Sequence, residues 1–238
     1  MRNTLASDTQ EKSTSQGDRA PESGGSVAHL FLSCCFAVIA GISFWELYEA
    51  RHHSPLDPSW EVTPAPLVMQ GGDPYIRALM RTISASESND PRPYSLLYGG
   101  GHIADLSRHP DLCIPIVAGP NIGDCTTAAG RYQFLTTTWL DKARQYHPDG
   151  DRLLFWESYS FSPRYQDEVT YAWLSDTSAW GADLGQLLRD GRLEDVLWLL
   201  SATWTSLGYG IESNSMTDYL PDIYYQMLQE ELANQGGF

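Results

Sequence analysis

An uncharged stretch near the N-terminus constrains this chain more than any other feature of its sequence. Residues 23–45 contain no Asp, Glu, Lys or Arg, and residues 30–45 are LFLSCCFAVIAGISFW. A helix needs about 20 apolar residues to cross a bilayer, and residues 27–45 nearly reach that length. Residues 1–26 are rich in Ser, Thr, Gly, Asn and Gln, which is typical of a disordered tail. This order predicts a tail and then an export segment ahead of a folded domain.

Residues 27–45 admit more than one interpretation. The segment can stay in the membrane as a signal anchor, or it can be a signal peptide that is cleaved near Gly41, which small residues precede. A buried core helix is a third alternative, but an uncharged run beside a polar tail is more typical of an export segment. The tail is long for a signal peptide, which favours the anchor. Export places the remaining chain outside the cytoplasm, anchored in the inner membrane and facing the periplasm, or secreted or periplasmic after cleavage.

A spacer and one globular domain are predicted after the export segment. Residues 46–67 contain four prolines and little periodicity, which indicates a semi-extended linker. Residues 68–238 have the length of a single domain. The chain carries 15 Lys and Arg against 30 Asp and Glu, a net charge of −15. Because no basic patch can dominate such a chain, nucleic acid is not a predicted partner.

The domain has the sequence pattern of a helical protein. Asp73-Pro74 and Ser162-Pro163 each combine an N-cap residue with a proline at the first helical position, and apolar residues follow both at helical spacing. A further helix is expected over residues 128–146, Gly191 separates two more, and Pro221 opens the last one. With one short β-hairpin added, the predicted fold class is α+β, predominantly helical.

The hairpin is expected over residues 94–103, YSLLYGGGHI, where β-favouring residues flank three glycines. Residues 110–124 are expected to form a loop. Cys113 and Cys125 could close that loop with a disulfide in an oxidising compartment, which would stabilise the fold by roughly 2–3 kcal/mol on the loop-entropy account. Two free thiols remain the alternative.

Common metal and nucleotide motifs are missing from the sequence. His102 and His109 lack the spacing of an HExxH zinc site, and the three glycines lack the Lys-Ser/Thr of a phosphate-binding loop. There is also no Gly-x-Ser-x-Gly motif of a serine hydrolase. The sequence therefore predicts neither a metal nor a cofactor.

Glu87 is the candidate catalytic residue. It lies eleven positions beyond Ile76, so on an α-helix it returns to within roughly 20° of the Ile76 direction, on the apolar face. It also lies near the helix C-terminus, where the dipole is negative. Burial and the dipole both predict a raised pKa, and a protonated carboxylic acid can protonate the leaving oxygen of a glycosidic bond. A solvated Glu87, or one paired with Arg92, is the alternative.

Short motifs follow one another through residues 76–210. They are Ser86-Glu87; Tyr94 to Gly100, with Asp105 and His109-Pro110; Ala129-Gly130-Arg131-Tyr132-Gln133; Phe161-Ser162-Pro163, with Gln166-Asp167 and Val169; and Trp204-x-Ser206-Leu207. In content and order they resemble the lambda-phage type of endolysin, the lytic transglycosylases of glycoside hydrolase family 104. Ala-Gly-Arg-Tyr-Gln is the most specific motif. The chain departs from the family where Ser88 replaces a glycine and where the family's Leu-Pro-Gly becomes Leu207-Gly208-Tyr209-Gly210.

The resemblance implies a lysozyme-like fold and a peptidoglycan substrate, cleaved between N-acetylmuramic acid and N-acetylglucosamine. It implies a single catalytic Glu, which falls on Glu87 and acts first as acid and then as base, so that a 1,6-anhydro sugar is formed. Tyr132 and Gln133 would lie beside the cleft as sugar contacts or orienters of Glu87, with Tyr98 as a further substrate-binding residue. Asp105 is the candidate second carboxylate, although a role in capping the turn before Ser107 is at least as well supported.

Three other functions stay open: a hydrolysing muramidase, a catalytically silent peptidoglycan-binding module, and a membrane-anchored interaction protein. The predicted partners are glycan strands, the membrane through residues 27–45, and possible cell-envelope assembly proteins. An anchored acidic enzyme that faces an anionic wall suggests local remodelling rather than wholesale lysis.

Overall fold

The computed structural model describes residues 63–117, 121–149, 159–210 and 214–235. The chain divides into two units, Met1–Trp60 and Glu61–Phe238, and only the second contains described residues. The predicted tail, the export segment and most of the spacer therefore lie outside the described residues. Within the described ranges, no helix is both long enough and apolar enough to span a membrane.

Seven α-helices and one two-stranded sheet make up the regular structure of the described residues. The helices are α1 (Pro74–Glu87), α2 (Thr136–Tyr146), α3 (Pro163–Ser175), α4 (Thr177–Trp180), α5 (Leu184–Arg189), α6 (Leu193–Leu200) and α7 (Leu220–Gln235). The strands are β1 (Ile114–Pro115) and β2 (Cys125–Thr126), which pair antiparallel. The predicted α+β class with dominant helix is confirmed.

Helix α1 is the central element of the domain. Ten of its fourteen residues are buried, and it packs chiefly against α7. It begins where the sequence predicts, since Asp73 caps it by accepting a hydrogen bond from the Tyr75 N–H (2.9 Å) and Pro74 follows. Buried Arg81 pairs with Glu231 of α7 at 3.1 Å. Because α1 is buried on nearly all sides, its axis is fixed in the core, and so is the position of its last residue, Glu87.

The sheet does not lie where the sequence predicts it. The chain reverses at residues 94–103, with an antiparallel bridge between Leu96 and His102, but Tyr98–Gly100 forms a 3-10 turn and the pairing extends no further into a sheet. The two strands β1 and β2 instead form inside and beside the predicted loop. The Cys113–Cys125 disulfide, with Cα atoms 5.4 Å apart, joins them, so the predicted disulfide is confirmed.

The predicted helix over residues 128–146 begins later, at Thr136. A tight turn precedes it, in which Ala129 and Phe134 exchange two backbone hydrogen bonds of 3.1 and 2.9 Å. Gly130 (φ +75°) and Gln133 (φ +46°) adopt left-handed conformations in this turn. A right-handed helix cannot pass through two such residues, which is why helical spacing misled the prediction here.

The predicted boundary between spacer and domain is also too late. The guanidinium of Arg81 donates to the Pro64 carbonyl at 2.8 and 3.2 Å, and that of Arg131 donates to the carbonyls of Ala65 and Pro66. Leu67 is only 6% exposed. Residues 64–67 therefore belong to the domain, and we call residues 64–69 the N-terminal strap.

Candidate active site

Glu87 is the last residue of α1 and lies at the border between core and surface. The residues before it in the final two turns are buried, and its own side chain is half-buried. The hydroxyl of Ser206 donates to Glu87 Oε1 at 2.5 Å. The Glu87 carboxyl is therefore partly shielded from water and is held by the Ser206 hydroxyl. A residue that transfers a proton to and from a substrate has to be positioned in this way.

Alternate serines surround the end of α1. Ser86 Oγ donates to Ser206 Oγ at 2.7 Å, and the Ser206 carbonyl is a second acceptor within reach at 3.1 Å. Ser88 Oγ donates to the Arg131 carbonyl at 2.7 Å. The serine at position 88 thus ties the residue after Glu87 to the turn over residues 129–134. Its backbone (φ −144°, ψ 59°) lies outside the left-handed region and does not need glycine, which explains why the departure from the family motif is tolerated.

Asn214, from the segment before α7, completes the surroundings of Glu87. Its amide Nδ2 donates to the Ser86 carbonyl at 2.7 Å and lies 3.4 Å from Ser86 Oγ. Its Oδ1 accepts from the Met216 N–H at 2.9 Å, and Thr217 Oγ1 donates to the Ser206 carbonyl at 3.0 Å. Three separate parts of the chain therefore meet at the catalytic candidate.

Tyr132 does not line a surface. It is 0% exposed, and its hydroxyl donates to Asp167 Oδ1 at 2.7 Å. Burial raises the pKa of the Tyr132 phenol well above its ordinary value, and nearby Asp167 raises it further. The family resemblance implies a sugar contact or an orienter of Glu87 at this position. A fully buried ring has no face to offer a sugar, so Tyr132 is a core residue in this structure and not a sugar contact.

Asp167 is the centre of a buried polar cluster. Its Oδ2 accepts from the hydroxyl of Tyr94 (2.8 Å) and from the backbone N–H groups of Val68 (2.7 Å) and Met69 (3.2 Å). Burial raises the pKa of Asp167, and the charge of Arg131 opposes that shift. The cluster fastens the N-terminal strap to α3 and satisfies a carboxyl that would otherwise be costly to bury.

The remaining predicted site residues occupy turns. Gln133 is half-buried, and its amide donates to the Gly130 carbonyl at 2.9 Å. Tyr98 is half-buried in the 3-10 turn. Asp105 is exposed, and its Oδ1 accepts from the Ser107 N–H at 2.9 Å. Hydrogen bonds from Ser107 hold the pKa of Asp105 below its ordinary value. The turn-capping alternative for Asp105 is therefore the one that the geometry supports.

A family model with the description Endolysin matches residues 77–230, well over half of the chain. The chain belongs to the endolysin family. Endolysins degrade bacterial peptidoglycan, and this endolysin is a peptidoglycan-degrading enzyme.

Two solved structures of bacteriophage lambda lysozyme are similar to this endolysin. The structure in complex with a chitohexasaccharide has 25% sequence identity and a TM-score of 0.48, and the match covers 67% of this chain and 97% of the other. The second has 20% identity and a TM-score of 0.46, with 68% and 97% covered. No curated protein sequence gives a significant match to this endolysin.

Sequence reasoning missed two residues that contact the site of this endolysin. Ser206 belongs to the Trp204-x-Ser206-Leu207 motif. The indole N–H of Trp204 donates to the Tyr132 carbonyl at 3.0 Å, and this bond anchors the turn that carries Ser206. Asn214 has no motif around it, so only the fold could reveal it. Across the described ranges, His, Cys, Asp and Glu form no group of three that could hold a metal ion.

Proposed function

We propose that this endolysin is a lytic transglycosylase that cleaves the β-1,4 bond between N-acetylmuramic acid and N-acetylglucosamine. The product would carry a 1,6-anhydro ring on the muramic acid, and Glu87 would act as general acid and then as general base. The observation that carries the proposal is the half-buried Glu87 carboxyl, held by Ser206 at the end of a buried helix. Such a carboxyl is accessible to a glycan and yet fixed in direction.

The first step breaks the glycosidic bond. Protonated Glu87 gives its proton to the bridging oxygen, and the bond between that oxygen and C1 of the muramic acid breaks. The N-acetylglucosamine leaves with the proton, and positive charge develops on C1 and the ring oxygen. Glu87, now ionised, is the group that faces this charge.

The second step closes the anhydro ring. The 6-hydroxyl of the same muramic acid attacks C1 and gives its proton to the Glu87 carboxylate, which restores the acid. No water is consumed, and one carboxylate serves both steps. The position of Asp105 supports this single-carboxylate route, because hydrogen bonds within its own turn engage that carboxylate on the exposed surface.

Replacement of Glu87 by Gln tests the proposal. Gln keeps the size of the side chain and an oxygen that can accept from Ser206, but it cannot transfer a proton. We expect the rate of muropeptide release from purified peptidoglycan to fall by about 10²- to 10⁴-fold, with an unchanged unfolding midpoint. Asp105→Asn is the matched control and should keep the parental rate. Parental activity in Glu87→Gln would refute the catalytic assignment, and an inactive parent protein would favour a peptidoglycan-binding module.

We also infer that residues 27–45 export the enzyme and hold it at the inner membrane, with the catalytic domain facing the periplasm. The uncharged run in the sequence supports this location, and the net charge of −15 opposes broad spreading over an anionic wall. Local remodelling of the wall beside envelope assembly proteins fits such a tether. Cell fractionation with protease protection would test it: recovery in the soluble cytoplasm, or bulk lysis by a detached domain on expression, would contradict it.

A further inference from the structure

A row of hydrogen bonds runs from the surface to the catalytic carboxyl. It starts at the exposed Asn214, whose Nδ2 lies 3.4 Å from Ser86 Oγ and is anchored by its 2.7 Å bond to the Ser86 carbonyl. Ser86 Oγ donates to Ser206 Oγ at 2.7 Å, and Ser206 Oγ donates to Glu87 Oε1 at 2.5 Å. Ser86 and Ser206 are each 8% exposed, so bulk water does not readily replace these bonds.

The two ends of the row fix its direction. A carboxamide NH₂ can only donate hydrogen bonds, and an ionised carboxylate can only accept them. A hydroxyl between them donates one proton and accepts at its lone pairs. Ser86 has one hydroxyl proton and two acceptors in reach, and the nearer acceptor is Ser206 Oγ at 2.7 Å rather than the Ser206 carbonyl at 3.1 Å. Ser206 in turn donates to Glu87, because an ionised carboxylate cannot donate to it.

We infer that Ser206 is a positioning residue, which, with Ser86 and Asn214 behind it, keeps Glu87 Oε1 as a hydrogen-bond acceptor and makes Oε2 the oxygen that delivers and recovers the catalytic proton. This inference rests on the proposed function of Glu87. Protonated Glu87 then carries its hydrogen on Oε2, while Oε1 accepts from Ser206 in both protonation states. The acid step and the base step therefore use one oxygen, and the carboxyl does not have to rotate between them.

The location of Glu87 explains why such a device is needed. Glu87 is the final residue of α1, and the chain leaves the helix at Ser88. A glutamate side chain has three rotatable bonds, and their freedom must be lost before the carboxyl points in one direction. Ser206 is held by its own turn and by Thr217 Oγ1, which donates to its carbonyl at 3.0 Å, so the orientation of the carboxyl is set before substrate binds.

Kinetics of Ser206→Ala in the full-length protein would test this inference. Loss of the hydroxyl should lower kcat by about 10- to 100-fold with KM unchanged, because the substrate still binds while the acid is misoriented. Ser206→Thr keeps the hydroxyl and should recover most of kcat. Ser201→Ala is the control, since Ser201 is 4% exposed and donates to the Leu197 carbonyl at 2.7 Å within its own helix; it should keep the parental kcat.

Asn214→Asp gives a second measurement that does not depend on a core substitution. Asp keeps the acceptor for the Met216 N–H but removes the amide donor, so kcat should fall at unchanged KM. If Ser206→Ala fails to fold, the kcat and KM of Asn214→Asp test the positioning role instead. A parental kcat in the folded variant, or a raised KM at parental kcat, would overturn the positioning role. If Glu87→Gln is inactive and Ser206→Ala is fully active, only the positioning role of Ser206 is rejected. If Glu87→Gln is active, the proposed function of Glu87 is rejected as well.

Discussion

At the scale of single residues, Gly130 of the Ala-Gly-Arg-Tyr-Gln motif is required by the fold. Its φ of +75° lies in the left-handed region, and a Cβ there would sit 2.4 Å from Gln166 Oε1 and 2.7 Å from a ring carbon of Phe161. Gln166 Oε1 also accepts from the Arg131 N–H at 2.9 Å. The glycine is therefore required by conformation and by space together.

Gly130→Ala should be strongly destabilising. We expect a loss of about 2–4 kcal/mol in the free energy of unfolding, from a strained backbone and an overpacked contact, measured by urea denaturation. Gly191→Ala is the matched control, because Gly191 has a similar φ of +73° and nothing within 4 Å of its would-be Cβ; it should lose only about 1–2 kcal/mol. Equal losses in the two variants would show that contact with Gln166 does not matter.

The predictability of the site also differs from residue to residue. Helical periodicity placed Glu87 correctly, because a carboxylate that follows an apolar stripe must lie beside the core. The position of Tyr132 beside the cleft came from the family resemblance instead, and a motif does not say whether its members face the cleft or the interior. Ser206 bonds to Glu87 across 119 residues of sequence, and Asn214 bonds to Ser86 across 128 residues. A local sequence pattern contains no information about such distant partners.

At the scale of elements, the N-terminal strap couples the spacer to the domain. Residues 64–66 supply carbonyl acceptors to two buried guanidinium groups, and the N–H groups of Val68 and Met69 donate to Asp167. Arg81 and Arg131 are 1% and 0% exposed, so water cannot replace the lost acceptors without opening the core. The strap is thus a structural part of the enzyme, although its sequence resembles linker.

A fragment of residues 70–238 should therefore be much less stable than one of residues 61–238. Removal of the partners of a buried charge costs about 3–5 kcal/mol, and the apolar contacts of Leu67 and Met69 are lost as well. We expect a clearly lower urea midpoint for the shorter fragment, measured by tryptophan fluorescence. Identical midpoints would show that the strap contributes nothing to the fold.

Helix starts were predictable because Asp-Pro and Ser-Pro pairs act locally. The turn over residues 129–134 was not, because tertiary contacts at Gly130 and the left-handed Gln133 override helical spacing. The β1–β2 pair escaped prediction for a similar reason: each strand has only two residues, too few for a periodic pattern, and the disulfide beside them sets their register.

At the scale of the whole molecule, two buried histidines make stability depend on pH. His109 and His147 each accept at Nδ1 from the N–H of the Asp two residues later, at 3.2 and 3.1 Å. Burial lowers the pKa of both imidazoles. The unfolded chain takes up these protons near pH 6.5, whereas the folded protein takes them up only at lower pH. Their contribution to stability is thus present above about pH 6.5 and is lost as the pH falls through the folded pKa values.

We expect the free energy of unfolding to decrease between pH 7 and pH 5, measured by urea denaturation at fixed ionic strength. The double variant His109→Gln/His147→Gln removes both titrating groups and should show a shallower decrease over the same interval, even if it is less stable at pH 7. An unchanged slope in the double variant would assign the acid sensitivity to other groups.

In the proposed mechanism, Glu87 uses the substrate's own hydroxyl, and not water, to complete cleavage. Digestion of peptidoglycan by the full-length enzyme in H₂¹⁸O, followed by mass spectrometry of the muropeptides, tests this directly. We expect 1,6-anhydro-muramic acid ends without ¹⁸O, and none of them from Glu87→Gln. Reducing muramic acid ends that carry ¹⁸O would contradict it and identify a hydrolysing muramidase.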